Sequence, residues 1–343
     1  MARPLALTEQ TFIDFIARCA RPVRPRPAVG IGDDAAVLDL PPRSQTLVTT
    51  DLLTDGVHFH AEWTTGALLG RKALAVNLSD IAAMGGQPHS CVVAVGFPRS
   101  TTVAYTRGIA RGLADMARSH KVALVGGDTC AARALFVNVT LIGLVEKGKA
   151  VTRSGARPGD HLYVTGTLGA SAAGLSLLSG RSRPGPGMGI RPAASQSCRR
   201  RAIRAHLDPR PRCAAGRALG LTGLATSMID LSDGLAQDLP RLCAASSVGA
   251  VISQSALPID RLATALFGPD EALHLAQCGG EDYELLFTAR PDCDPMVTAL
   301  ARRLNLPIHR IGQILPRRAA IRTVDNKGRY RSLPAGAFEH FPR

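Results

Sequence analysis

Four apolar runs end on aspartates set among Thr, Ser or Gly: residues 47–51 (LVTTD), 75–80 (AVNLSD), 122–128 (VALVGGD) and 228–233 (MIDLSD). A fifth segment, Gly30-Ile31-Gly32-Asp33-Asp34, adds two more carboxylates. A carboxylate at the end of a buried strand is costly to desolvate unless a cation pairs with it. Most of these motifs contain no lysine, which makes a divalent metal the expected partner. Hard oxygen ligands, with water and phosphate oxygens completing the shell, suit Mg²⁺.

Each segment alone has an ordinary explanation, and company is what makes it informative. If residues 70–84 form a helix, Asn77, Asp80 and Met84 share a face of an otherwise apolar segment, which favours Asp80 as a ligand over a surface charge. Thr49-Thr50-Asp51 places hydroxyls and a carboxylate at a strand end, where turns and caps use the same letters. Gly126-Gly127-Asp128-Thr129 reads as a glycine turn after a strand over 122–126, and such a turn can offer N–H donors to a phosphate. Asp230-Leu231-Ser232-Asp233-Gly234 is similar. Arg153 could give a guanidinium to phosphate or be a solvent-facing linker arginine. His58 follows a turn and precedes Phe59, a setting in which packed or turn histidines are commoner than ligands. Gly279-Gly280-Glu281-Asp282-Tyr283-Glu284 again sets acids after a glycine turn. The chain has neither a Walker phosphate loop nor protein-kinase motifs, so any use of ATP leans on several Mg²⁺ ions for charge neutralisation.

The elements that must position these residues alternate between helix and strand. Helices are expected over 8–19, 70–84, 102–119 and 171–178, and strands near 35–40, 46–50, 91–95, 122–126, 136–145 and 162–165. Glycines and prolines within 147–160 mark a domain boundary. The expectation is α/β, two domains with mixed sheets, divided as 1–147 and 148–343. Residues 180–198, rich in Gly, Pro, Arg and Ser, read as a loop.

With 343 residues, 45% hydrophobic and 20% charged, the chain has the composition of a globular enzyme. Aromatics make up 4%, too few for base-stacking platforms. Most of the net charge of +14 comes from Arg181 to Arg217, where ten arginines face one acid, Asp208. A solvated basic loop is the preferred reading there over a nucleic-acid patch. The remaining histidines and most arginines read as surface. Eight cysteines show no paired metal spacing, and Cys19 sits in a helical stretch. No run approaches a membrane span and no leader is evident, so the expected setting is the cytoplasm.

Together the motifs GIGDDAAV (30–37), TTDLLTDGVHF (49–59), KALAVNLSDIAAMG (72–85), VALVGGDT (122–129), VTRSGARPGD (151–160), IDLSDGLAQDL (229–239) and GGEDYEL (279–285) resemble the thiamine-monophosphate kinase family. That family lies within the aminoimidazole ribonucleotide synthetase and selenophosphate synthetase superfamily. The resemblance implies ATP-dependent phosphorylation of thiamine monophosphate by direct transfer, with Mg²⁺. It implies a homodimer whose N-terminal domains form a barrel across the interface, with the C-terminal domain completing the active site. Carried over by motif, Asp34, Thr49, Thr50, Asp51, Asp80, Asp128, Asp230 and Asp233 would bind Mg²⁺. Gly127, Asp128, Arg153 and Ser232 would meet ATP, and His58 and Glu281 would meet thiamine monophosphate. The family's C-terminal aromatic falls near Ala335, with Phe338 one residue out of step. Two rival readings are another ATP-dependent synthetase of the superfamily and a polyanion-binding protein using Arg181–Arg217.

Overall fold

The computed structural model describes residues 9–20, 27–28, 30–31, 35–180, 191 and 194–334. Asp34, Ala335 and Phe338 lie outside the described residues. Two compact units divide the chain: Met1–Ile81 with Gly86–Gly148, and Ala82–Gly85 with Lys149–Arg343.

In the first unit the order is α1 (Glu9–Ala20), β1 (Ser44–Thr54), α2 (Gly66–Ala83), β2 (Gln87–Phe97), α3 (Val103–His120), β3 (Ala123–Ala131) and β4 (Phe136–Glu146). The strands form one mixed sheet in the order β1-β4-β2-β3, with β2 and β3 parallel and the other pairs antiparallel. Side chains alternate across a strand, so β4 buries Val137, Val139 and Leu141 on one face. Ile81 of α2 packs over the backbones of Gly86 and Gly143 on that side. Leu69, Leu74, Leu78 and Ile81 are all fully buried, so α2 is apolar nearly all round, as a sandwiched helix must be. Each such side chain contributes about 1.5–3 kcal/mol by leaving water. Thr102 caps α3 by accepting the Tyr105 N–H at 3.2 Å, and Lys121 ends it in the left-handed region at φ 57°. Phe12 of α1 meets Phe97 edge-on at 5.4 Å. The opposite face of the sheet leaves Val48, Leu52 and Val92 exposed, at 67%, 49% and 39%.

Three expectations change here. No strand runs over 35–40, and β1 begins at Ser44. Thr49-Thr50-Asp51 is not a strand end, because β1 pairs with β4 along its whole length, from Ser44 opposite Glu146 to Thr54 opposite Phe136. Gly126-Gly127 is not a turn either. β3 runs on through Asp128 to Ala131 in parallel with β2, where Gly127 lies opposite Val93. A Cβ at Gly127 would sit 2.1 Å from the Val93 carbonyl oxygen, so glycine is needed for strand approach.

The second unit contains β5 (His161–Thr165), α4 (Ala170–Ser179), α5 (Gln196–Leu207), α6 (Cys213–Thr222), β6 (Ser227–Asp230), α7 (Leu235–Ser246) and β7 (Gly249–Ser253). It continues with α8 (Arg261–Phe267), α9 (Pro269–Cys278), β8 (Leu285–Ala289), α10 (Asp294–Leu304), β9 (Ile308–Leu315), β10 (Arg322–Val324) and β11 (Tyr330–Ser332). Its seven strands form a mixed sheet in the order β11-β10-β7-β9-β5-β8-β6. The central strands are apolar on both faces, as a doubly covered sheet requires. Leu162, Val164 and Leu286 join a core with Leu235, Leu239 and Leu242 of α7. Tyr163, Leu285 and Phe287 join the other core, with Leu219 of α6 and Val297 and Leu300 of α10.

The basic stretch is not one solvated loop. From Gln196 it is helix α5, capped by Ser195, whose hydroxyl accepts the Cys198 N–H at 3.2 Å. Residues 213–222 form α6. His206, expected at the surface, is buried. Among the described residues, no helix is long and apolar enough to cross a membrane and no disulfide forms.

Candidate active site

Alternation along β1 puts Thr49 and Asp51 on the face that looks toward α2. Thr49 Oγ1 donates to Asp80 Oδ2 at 2.5 Å. Burial, and then the neighbouring charge of Asp80, push the Asp51 carboxyl from 3.8 up to about 7. Two carboxylates crowded this way, with a hydroxyl beside them, form a hard-oxygen donor set. That chemistry fits Mg²⁺. Among the described residues, no three His, Cys, Asp or Glu side chains converge as a metal site.

Thr50 and Asp128 are placed elsewhere. Thr50 faces the other way, with its hydroxyl 3.1 Å from Thr140 Oγ1 and accepting from Asn138 Nδ2 at 3.2 Å. Asp128 lies opposite Ala94, which lies opposite Asn138, so Asp128 shares the Thr50 face and not the Asp51 face. It sits on β3, at the far edge of the sheet from β1. Its Oδ1 accepts the Thr129 N–H at 2.8 Å. Replacing Gly127 beside it by Ala is expected to destabilise the protein by about 2 kcal/mol or more, because the new methyl meets backbone that cannot swing aside. A chemical denaturation midpoint would measure this.

His58 serves its own turn. The Thr54 N–H donates to His58 Nδ1 at 3.1 Å, which assigns the ring proton to Nε2. The N–H groups of Val57 and His58 both donate to the Thr54 carbonyl, at 3.2 and 3.0 Å.

In the second unit, Asp230 is buried at the end of β6. The two segments that follow β6 and precede β8 are joined backbone to backbone. Leu231 N–H donates to Glu284 O at 2.8 Å, Glu281 N–H to Ser232 O at 2.7 Å, and Tyr283 N–H to Leu231 O at 3.0 Å. Ser232 and Glu281 are thereby brought together. Glu281 and Tyr283 adopt left-handed backbone, at φ 65° and 50°. For non-glycine residues this costs on the order of 1 kcal/mol each and persists where the surroundings impose it. Gly280 has no room for a side chain, since a Cβ there would lie 2.5 Å from Ser232 O.

The acids around Glu281 are all engaged. Asp282 accepts the Gly169 and Ser171 N–H groups at 2.7 and 3.2 Å at the start of α4, and burial pushes its carboxyl up to about 7. Glu284, 3% exposed, accepts from Thr165 Oγ1 at 2.6 Å, from Arg212 Nε at 2.7 Å and also from Arg212 Nη2. Glu281 Oε2 lies 3.0 Å from His206 Nδ1. Asp233 is held by Arg241 Nη1 at 2.5 Å, and the same nitrogen reaches Asp238 at 2.8 Å. Arg153 is exposed, while its carbonyl accepts from Ser246 Oγ at 2.8 Å.

Sequence reasoning passed over His206, Arg212, Arg241 and the buried Lys72 of α2. A signal existed for His206: Ala202 and His206, four apart, share a helical face, and both are buried.

Residues 32–145 match the family described as AIR synthase related protein, N-terminal domain, and residues 157–325 match its C-terminal domain. Thiamine-monophosphate kinase of Escherichia coli (strain K12) is 40% identical over 286 residues, covering 83% of this chain and 84% of that protein. The crystal structure of thiamine-monophosphate kinase from Stenotrophomonas maltophilia K279a superposes with TM-score 0.81 at 35% identity, over 95% of this chain and 99% of that one. The structure of AaThiL complexed with AMPPCP and TMP gives 0.74 at 28% identity, over 99% of each chain. With both domain matches and this degree of identity over most of its length, the chain belongs to the AIR synthase related family, among the thiamine-monophosphate kinases.

Proposed function

We propose that this chain transfers the γ-phosphate of ATP to thiamine monophosphate, giving thiamine diphosphate and ADP. The observation that carries this reading is full-length kinship with thiamine-monophosphate kinases, including one held with an ATP analogue and TMP. Mg²⁺, when bound, would supply the positive charge that lets two anionic phosphates approach.

The roles follow the motifs, with differing support from the geometry. Asp51 and Asp80, with Thr49, hold Mg²⁺; their crowding supports this. Asp34, Thr50, Asp128 and Asp230 complete the metal set on motif alone. Asp233 has Arg241 as its cation already, so its metal role also rests on the motif. Gly127, Asp128, Arg153 and Ser232 meet ATP, and His58 and Glu281 meet thiamine monophosphate. The acceptor is already an anion at neutral pH, so no strong general base is required; orientation and charge dominate. Transfer is direct, without a phosphoenzyme. The protein works in the cytoplasm as a homodimer. The bare face carrying Val48, Leu52 and Val92 supports pairing, since a second copy would cover it and close the sheet toward a barrel.

One observation weighs against a polyanion-binding role. Arg212 turns inward to pair with the buried Glu284, so this part of the basic segment serves the fold. The test is ADP release from Mg-ATP in the presence of thiamine monophosphate, with thiamine and selenide as controls. Turnover only with thiamine monophosphate is expected; turnover with selenide alone would reassign the chain to another synthetase. Labelled protein after mixing with γ-³²P-ATP alone would contradict direct transfer.

A further inference from the structure

Glu281 reaches its position through three constraints that converge on one carboxylate. Its backbone is left-handed at φ 65°. Its N–H is tied to Ser232 O at 2.7 Å. Its Oε2 lies 3.0 Å from Nδ1 of His206, whose side chain is 4% exposed against 24% for Glu281. The same Nδ1 lies 3.2 Å from Ser171 Oγ. Ser171 is itself fixed, because its N–H donates to Asp282 at the start of α4.

Nδ1 lies within hydrogen-bond distance of both the Ser171 hydroxyl and the Glu281 carboxylate, and a proton on Nδ1 is one the carboxylate can accept. The imidazole in turn cannot drift. It is buried on α5, and α5 lies so close to α4 that a Cβ on Gly174 would meet Ala202 O at 2.1 Å and His206 Cβ at 3.1 Å. A partly exposed acid is thus gripped from behind by a buried imidazole on a separate helix. A side chain needed only for packing would not require its polar end to be aimed at the more exposed carboxylate.

We infer that His206, steadied by Ser171, is a positioning residue that orients the Glu281 carboxylate toward the cationic heterocycle of the phosphate acceptor. The inference rests on the proposed role of Glu281 in holding thiamine monophosphate. His206 does not touch the phosphates, and its effect belongs to acceptor binding rather than to ATP.

The experiment measures KM for thiamine monophosphate, KM for ATP and kcat in parallel for the full-length protein and its variants. His206→Ala is expected to raise KM for thiamine monophosphate about tenfold, the size of one charge-assisted hydrogen bond, with KM for ATP within about twofold. His206→Asn places an amide N–H where Nδ1 stood and is expected to recover most of the loss. His206→Gln places its donor farther out and is expected not to recover it. If His206→Ala fails to fold, the Asn and Gln pair carries the test. Equal behaviour of Asn and Gln, or a rise in both KM values together, overturns the inference. Glu281→Gln separates the two levels of reading. If it leaves KM for thiamine monophosphate unchanged, the role of Glu281 fails; if it raises that KM while His206→Ala does not, only the positioning role fails.

Discussion

Asp51→Asn is expected to lower turnover by at least about a hundredfold while raising the melting temperature of the metal-free protein. The two effects have one cause. Asp51 is half-buried beside Asp80, and its carboxyl titrates near 7 instead of 3.8. A carboxyl whose value is raised on folding contributes stability that is fully present below 3.8 and is lost as pH rises through 7. Above pH 7 the ionised pair strains the apo fold, and an amide at position 51 removes that strain along with the proposed metal ligand. Without metal, the wild type should therefore melt at lower temperature at pH 8 than at pH 5, and Asp51→Asn should show a flatter profile. Mg²⁺ binding near pH 7 should release about half a proton per chain, read by calorimetry in buffers of differing ionisation enthalpy. Undiminished turnover in Asp51→Asn would remove this residue from the metal set.

The second large effect is structural. Arg212→Ala should cost about 3–5 kcal/mol, because it leaves the buried Glu284 carboxylate without its bidentate partner. Burial pushes the Glu284 carboxyl up, while Arg212 and Thr165 hold it down. Replacing both partners by apolar residues, as Arg212→Met with Glu284→Leu, should recover most of the loss, since the penalty lies in the unpaired charge. Chemical denaturation of the two variants distinguishes this from a simple packing defect. Equal destabilisation in both would contradict it.

Much of this architecture was legible from local pattern. Helix α3 was legible over 102–119, and β4 in a segment from Phe136 to Val145 that alternates enough to be a strand, a pattern its burial then makes regular. What misled was chemistry shared between turns and strands. Gly126-Gly127 looks like a turn because glycine is the usual turn residue, yet here it serves the close approach of β2. Thr49-Thr50-Asp51 looks terminal because aspartate is rare inside strands, yet the ladder to β4 runs past it. The Asp51–Asp80 pair depends on contact between a strand and a helix, and the Glu281–His206 pair on residues far apart in the chain. Neither can be read from spacing. The arginine-rich segment concealed His206 and Arg212, because composition alone does not show which side chains turn inward.

The strand order β1-β4-β2-β3 limits which carboxylates of one chain can share an ion. Three interstrand steps separate the outer strands by about 14 Å, whereas two oxygens on one magnesium lie about 3 Å apart. Asp51 and Asp128 of a single polypeptide therefore cannot chelate the same ion. If both are ligands, elemental analysis of the loaded protein must count two distinct positions, or one ion bridging neighbouring polypeptides.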